Sequence, residues 1–156
     1  MNEPLLTIEG LTVGYQVRGH LRRIVSDVSF TVPEGAAVAL VGESGSGKST
    51  IADVALRLAA ANTVIEAGEV RYRGESLLTA NAARLRELRG NHIAYVPQDP
   101  ANSLNPVRTI GSQLTETLDV TGTGGAAPSA RVVELLDAVG IPHPAEVARK
   151  YPHQLS

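Results

Sequence analysis

Residues 42–50 read Gly42-Glu43-Ser44-Gly45-Ser46-Gly47-Lys48-Ser49-Thr50, and the rest of the chain is best interpreted outward from them. The first eight match the pattern G-x-x-x-x-G-K-[ST], which is typical of a loop that binds phosphate groups. Three glycines allow such a loop to coil tightly, because they have no Cβ to clash with the backbone or with a ligand. The sequence therefore predicts a loop whose backbone N–H groups converge on an anion.

The segments on either side of this loop have the pattern that its mechanism requires. Residues 36–41 form an unbroken apolar run, typical of a strand buried on both faces of a sheet. After the loop, apolar residues recur at helical spacing, which predicts a helix that begins near Lys48: Ile51, Val54, Ala55 and Leu58. The free N–H groups and the positive dipole end of that helix would face the same anion.

Two residues of the loop have specific expected roles at a nucleotide. We expect Lys48 to contact the β- and γ-phosphates, and the Ser49 hydroxyl to ligate Mg²⁺. Ser44, Ser46 and Thr50 are included in the candidate binding set with the glycines. We expect the side chains of Glu43 and Ser46 to point outward and assign them no separate chemistry. The alternative is a Gly/Ser-rich loop that matches the pattern by accident, and the flanking strand and helix patterns argue against it.

Hydrophobic periodicity outlines the other elements. Strands are predicted at residues 5–17, 22–32 and 68–73, with a hairpin turn at Arg18-Gly19-His20. A second buried strand is predicted at residues 93–96, and residues 98–109 form a loop. Helices are predicted at residues 82–89, 110–118 and 131–139, the last with an apolar stripe of Val132, Leu135, Leu136 and Val139.

The composition is that of a globular protein without a nucleic-acid or membrane signature. Hydrophobic residues make up 43% and charged residues 19%, and the net charge of −2 indicates no basic surface for nucleic acid. No apolar stretch approaches the roughly 20 residues that cross a bilayer, and residues 1–4 do not resemble a signal peptide. The absence of cysteine fits a reducing cytoplasm. We expect one soluble, intracellular domain.

Four segments occur in the order found in one protein family. They are Asp27-Val28-Ser29-Phe30, residues 38–50 with GESGSGKST, YVPQDPANSLNP at 95–106, and the final YPHQLS. Together they resemble the nucleotide-binding subunits of ABC transporters over nearly the whole chain. The glycine-rich loop is shared with many nucleotide hydrolases. The QDPxxSLNP segment is more specific and resembles the peptide and nickel importer branch, most closely the oligopeptide and dipeptide importers.

The resemblance implies roles for residues outside the loop. Tyr15 has the position of an aromatic that stacks on adenine, the alternative being an ordinary strand aromatic. Gln98 corresponds to a glutamine expected to contact Mg²⁺ and the attacking water, the alternative being a solvated loop amide. Leu155 and Ser156 resemble the start of the LSGGQ signature, which contacts the γ-phosphate on an opposing subunit; the alternative is a frayed chain end. Lys48 and Gln98 are thus the candidate catalytic residues.

The resemblance also implies an architecture. It is an α/β fold with a P-loop NTPase (RecA-like) core, an antiparallel β portion and the start of an α-helical subdomain, together an incomplete domain. We expect residues 1–97 to form the N-terminal part of the core and residues 98–109 the loop that carries Gln98. Residues 110–156 would then be a partial helical subdomain that ends at the signature.

The implied function is that of an ATP-binding subunit, which couples ATP binding and hydrolysis to the import of a solute, expected to be a peptide. Its cofactors would be ATP and Mg²⁺. Its partners would be transmembrane permease subunits and a second nucleotide-binding subunit, identical or different, at the cytoplasmic face of the membrane. No Walker B Asp–Glu pair or switch histidine follows the signature within this sequence. We therefore expect the 1–156 stretch alone to bind nucleotide but to hydrolyse it poorly or not at all.

Three other classes of protein are alternatives to this one. A soluble ABC ATPase of DNA repair or translation would share the fold, but coiled-coil insertions and basic patches are absent from the sequence. A P-loop GTPase or small-molecule kinase does not explain the Gln98 segment, and the N-K-x-D motif of GTPases is absent. A non-catalytic nucleotide-binding module remains an alternative for the 1–156 stretch by itself.

Overall fold

The computed structural model describes residues 4–99 and 103–155. It divides into two compact units, Met1–Glu87 and Leu88–Ser156. The first unit contains a four-stranded antiparallel sheet in the order β2-β1-β3-β4. Its strands are β1 (Leu6–Val17), β2 (His20–Val32), β3 (Thr63–Tyr72) and β4 (Glu75–Ser76), and helix α1 (Lys48–Ala55) lies between β2 and β3 in the chain.

A two-residue turn joins β1 to β2. Val17 pairs with His20, so Arg18 and Gly19 form the turn. Both have positive φ, 49° and 82°, as a type I′ hairpin turn requires. The hairpin predicted from the sequence is thereby confirmed, with His20 as the first residue of β2 instead of a turn residue.

A β-bulge fixes the pairing of β1 with β3. Glu9 pairs with Glu69 and Thr12 with Ala67, so Gly10 and Leu11 lie opposite the single residue Gly68. Gly68 has a φ of +98°, and a Cβ built on it would lie 2.5 Å from the Leu11 Cα. Only glycine fits here, because the two backbones approach too closely for any side chain.

The sheet and helix α1 both contribute to the core of the first unit. The helix buries Ile51, Val54 and Ala55, which recur at the spacing of one helical face. The buried apolar residues of this unit come from both elements and from the segment after β4: Ile8, Leu11, Val13, Val25, Ile51, Val54, Ala55, Val70 and Leu77. The helix predicted near Lys48 and the strands predicted at residues 5–17, 22–32 and 68–73 are therefore confirmed.

The two segments predicted as buried strands are corrected by the structure. Residues 36–41 and 93–96 have no regular secondary structure, and Val41 and Val96 are 93% and 87% exposed. A strand requires a neighbour that completes its hydrogen-bond ladder. Within residues 4–99 and 103–155 no strand pairs with either segment. An apolar run alone does not show whether such a neighbour is present.

The second unit is helical. Helix α2 (Ala82–Asn91) crosses the boundary between the units, and α3 (Ile110–Thr121), α4 (Pro128–Ala138) and α5 (Pro144–Val147) follow. A 3₁₀ turn at Pro152–Gln154 lies near the end of the described chain. Four residues of α3 and α4 form the buried core of this unit: Ile110, Leu118, Val132 and Leu136.

The predicted stripe on α4 is correct except at its end. Val132 and Leu136 are buried and Leu135 packs against them, but Val139 is 74% exposed. Val139 is the C-terminal cap of α4 and is followed by Gly140 with a positive φ, so it no longer follows the helical periodicity. The predicted division of the chain at residues 97 and 109 stays a prediction.

No helix among residues 4–99 and 103–155 combines the length and the apolar character that a membrane crossing requires.

Candidate functional site

The glycine-rich loop leads into helix α1. Two of its glycines have backbone conformations that residues with a side chain rarely adopt. Gly45 and Gly47 have φ of 80° and 93°, and Gly47 is the N-terminal cap of the helix in the left-handed conformation. No side chain caps this helix end. The first N–H groups of α1 consequently have no side-chain acceptor, which is the arrangement that favours an anion at a helix N-terminus.

The Lys48 ammonium group is held by its own loop. It donates to the carbonyl oxygens of Gly42 and Glu43 at 2.9 and 2.6 Å and lies 3.2 Å from the Ser46 Oγ. The loop therefore curls around a single positive charge. Ser46 is exposed, and its hydroxyl accepts this hydrogen bond from Lys48, a contact that the sequence did not assign to it.

Sheet β1–β2 supports the loop from one side. A Cβ added to Gly47 would lie 2.8 Å from the Val25 Cγ2 and 3.3 Å from the Ile24 Cγ2. Both side chains lie on strand β2, so the loop backbone rests directly on the sheet. The absence of a side chain at Gly47 is what permits this close approach.

A cavity of about 270 Å³ connects the loop to the first strand. Its lining residues are Tyr15, Ile24, Gly45, Gly47, Lys48, Ser49 and Thr50. Lys48 is the only charged residue among them, so the cavity favours an anionic ligand. Tyr15 and Ile24 add an aromatic and an aliphatic surface at the strand side, which suits a ligand with both a phosphate and a flat apolar part.

Tyr15 is tied to the helix that carries Lys48. Its hydroxyl lies 3.0 Å from the Thr50 Oγ1, and Thr50 is buried with 8% of its surface exposed. On the sheet, Tyr15 pairs with Arg22 of β2 and with Thr63 of β3. The Tyr15 backbone is thus fixed by two neighbouring strands, and its hydroxyl is bound to a residue of α1.

The structure brings together one part of the predicted site. Tyr15, Gly45, Gly47, Lys48, Ser49 and Thr50 line one cavity, and Gly42 and Ser46 join them through Lys48. Ser44 is exposed in the loop, Gln98 is exposed in the second unit, and Ser156 lies outside the described residues. The roles expected for Ser44, Gln98 and Ser156 therefore stay predictions.

Sequence reasoning missed two features of this cavity. Ile24 carries no motif, and only the course of β2 places it beside the loop. The contact between Thr50 and Tyr15 joins residues 35 positions apart. The strand pattern of β2 would have indicated a side chain near Tyr15, but its register could not be read from the pattern alone.

The described residues contain no group of three or more His, Asp or Glu side chains that could hold a metal ion by itself. Ser49, which carries a hydroxyl, lines the same cavity as Lys48. Mg²⁺ is usually held by few protein oxygens together with substrate phosphates and water. One hydroxyl at this position therefore fits a metal that arrives with a phosphate ligand.

Comparisons with known proteins all point to ABC transporter proteins. A family model described as ABC transporter matches residues 25–156. The chain is 45% identical over 154 residues to a Brucella abortus protein with the provisional name peptide import ATP-binding protein, covering 98% of this chain and 46% of that protein. It is 44% identical over 158 residues to YejF of Escherichia coli, an uncharacterized ABC transporter ATP-binding protein, covering 100% of this chain and 30% of that protein.

Among solved structures, the ATP-binding cassette MJ0796 in a dimeric, post-hydrolysis state bound to ADP and Pi has a TM-score of 0.81. The match covers 97% of this chain and 63% of that chain at 23% sequence identity, so it concerns the fold alone. The chain spans about half the length of the Brucella relatives that it matches.

Proposed function

The chain belongs to the ABC transporter family, and we propose that it binds Mg-ATP at residues 42–50 as part of the ATP-binding subunit of a peptide importer. The observation that carries the ATP site is one cavity that contains both Lys48 and Tyr15. A cation and an aromatic ring in one cavity lining match the two chemically different parts of a nucleotide, its phosphates and its base. The peptide as solute is supported by the provisional name of the Brucella relative.

The phosphate end of the site follows from the loop. The ammonium group of Lys48 donates to two carbonyls and a hydroxyl, and the anionic oxygens of a triphosphate would be stronger acceptors for it. The N–H groups at the start of α1 point toward the same region. Phosphate binding therefore uses one full charge and several backbone donors, with no acidic side chain in the cavity lining to oppose it.

The metal would be held by the Ser49 hydroxyl together with the phosphates. When bound, Mg²⁺ neutralises phosphate charge and polarises the bond to be cleaved. We propose that Gln98 contacts this metal and the attacking water, and that Ser156 contacts the γ-phosphate on an opposing subunit. Support for a second subunit comes from the dimeric state of the MJ0796 cassette.

For the whole protein we propose ATP hydrolysis coupled to transport, with permease subunits as partners at the cytoplasmic face of the membrane. Because ATP supplies the energy for transport in this proposal, a variant that cannot bind ATP should not import solute. In the organism that encodes this protein, Lys48→Ala in its gene should reduce uptake of labelled di- and oligopeptides to the level of a gene deletion. Uptake over the first minutes is the measurement.

The matched control is Lys150→Ala, since Lys150 is the only other lysine in the sequence and forms an ion pair with Glu146 at 2.8 Å. This variant should retain normal uptake. Unchanged peptide uptake in the Lys48 variant, with loss of ATP binding in the purified protein, would contradict the importer and favour a soluble ABC ATPase.

A further inference from the structure

We propose that the Thr50 hydroxyl positions the Tyr15 ring for the base of the nucleotide, and that Thr50 thereby links base binding to the phosphate loop. The inference rests on the proposed nucleotide site and deepens it. It assigns Thr50 a positioning role through another side chain, in addition to its place in the loop sequence.

The contact has the features of a structural hydrogen bond. The two hydroxyl oxygens are 3.0 Å apart in a partly buried setting. Thr50 is the polar residue that the described part of the chain buries most completely, at 8% exposure. A buried hydroxyl without a partner costs stability, so the Thr50 hydroxyl depends on Tyr15 for a hydrogen bond that water supplies poorly.

The hydrogen bond between Thr50 and Tyr15 controls the orientation of the Tyr15 ring. A tyrosine on a strand can rotate about two side-chain torsions, and the strand pairing of Tyr15 with Arg22 and Thr63 fixes only its backbone. A hydrogen bond at the far end of the ring restricts both rotations. The ring is then presented to the cavity in one orientation, which lowers the entropic cost of stacking a base on it.

Helix α1 connects this orientation to phosphate binding. Lys48 and Thr50 lie two residues apart in the first turn of the same helix. Their separation is set by helical backbone and changes little. The helix thus carries both Lys48 and the hydroxyl that Tyr15 bonds to, and Lys48 and Tyr15 both line the cavity. A ligand with both phosphates and a base gains from this spacing, whereas a ligand without a base does not.

The test compares two ligands, Mg-ATP and Mg-tripolyphosphate, by isothermal titration. Thr50→Val and Tyr15→Phe each remove one hydroxyl and keep the side-chain shape. Each should weaken Mg-ATP by about 2- to 10-fold, the range expected for one hydrogen bond. The double variant should be no weaker than either single variant. The affinity for tripolyphosphate should not change in any of these three variants. Thr50→Ser keeps a hydroxyl, so this variant should bind Mg-ATP with wild-type affinity.

Tyr15→Ala shows the full contribution of the ring to Mg-ATP affinity, because it removes the ring itself. It should weaken Mg-ATP by about 5- to 150-fold, the range for stacking of one base, again with no effect on tripolyphosphate. Mg-GTP should bind the wild-type protein too, since stacking tolerates different bases.

Three results would overturn the inference. Wild-type ATP affinity in Tyr15→Phe would show that the ring needs no anchor. An equal loss of tripolyphosphate binding in Thr50→Val would assign Thr50 to the phosphates directly. If the wild-type protein binds neither ligand, the nucleotide site itself is wrong and this inference fails with it. In the first two cases the nucleotide site stands and only this inference is wrong.

Discussion

Replacing Lys48 by alanine is expected to abolish most of the affinity for Mg-ATP. Its ammonium group is the only charge in the cavity lining and is centred among the loop carbonyls of Gly42 and Glu43. Removing one partner of a hydrogen-bonded charge pair costs about 2–5 kcal/mol, a loss of at least about 30-fold in affinity. Isothermal titration of the wild-type and variant proteins measures the difference.

The fold should survive this substitution. Gly42, Glu43 and Ser46 are exposed, so water can replace the lost donor at their oxygens. Circular dichroism and the denaturation midpoint should therefore be close to those of the wild type. Lys150→Ala should bind Mg-ATP normally. An affinity within twofold of wild type in a folded Lys48→Ala protein would show that the loop does not bind the phosphates.

The second large effect is expected on stability, from Gly68→Ala. The new Cβ would lie 2.5 Å from the Leu11 Cα and 2.6 Å from the Gly10 carbonyl oxygen, both backbone atoms that cannot rotate away. Backbone strain at positive φ and overpacking each cost about 1–3 kcal/mol, so the sum is about 2–6 kcal/mol of the free energy of unfolding. Urea denaturation followed by circular dichroism measures it.

Gly35→Ala is the matched control for this variant. Gly35 also has a positive φ, +73°, but a Cβ there would meet no atom within 4 Å. Gly35→Ala should lower the free energy of unfolding only by the cost of backbone strain, about 1–2 kcal/mol. Equal destabilisation of the two variants would mean that the close approach of β1 and β3 at the bulge is not rigid. Because β1 carries Tyr15, such a result would also weaken the positioning argument for the site.

Features with a local cause were predicted from the sequence. The helix start at Lys48 follows from the glycine pattern and the apolar spacing after it, and the turn at Arg18-Gly19 follows from one glycine between two alternating strands. The predicted family is confirmed by the match over residues 25–156. The predicted α/β P-loop NTPase fold with an antiparallel β portion is confirmed by the ABC transporter family match together with the likeness to the MJ0796 cassette.

Features that depend on distant partners were not predicted. Residues 36–41 have the composition of a buried strand, but strand formation depends on a neighbour that is not part of the run itself. Strand β3 begins at Thr63, five residues before the predicted start at residue 68, because its first half pairs with β1 near Tyr15. The contact between Thr50 and Tyr15 likewise requires the register of the sheet and the position of the helix together.

The central claim is that residues 42–50 and Tyr15 together form the ATP site. Titration of nitrogen-15-labelled protein with Mg-ATP, followed by NMR, tests it most directly, because every backbone amide of the loop reports separately. We expect saturable binding with the largest amide shifts at residues 42–50, together with a shift of the Tyr15 ring protons that tripolyphosphate does not produce. Binding that leaves the loop amides unchanged, or no shift at millimolar Mg-ATP, would contradict this claim.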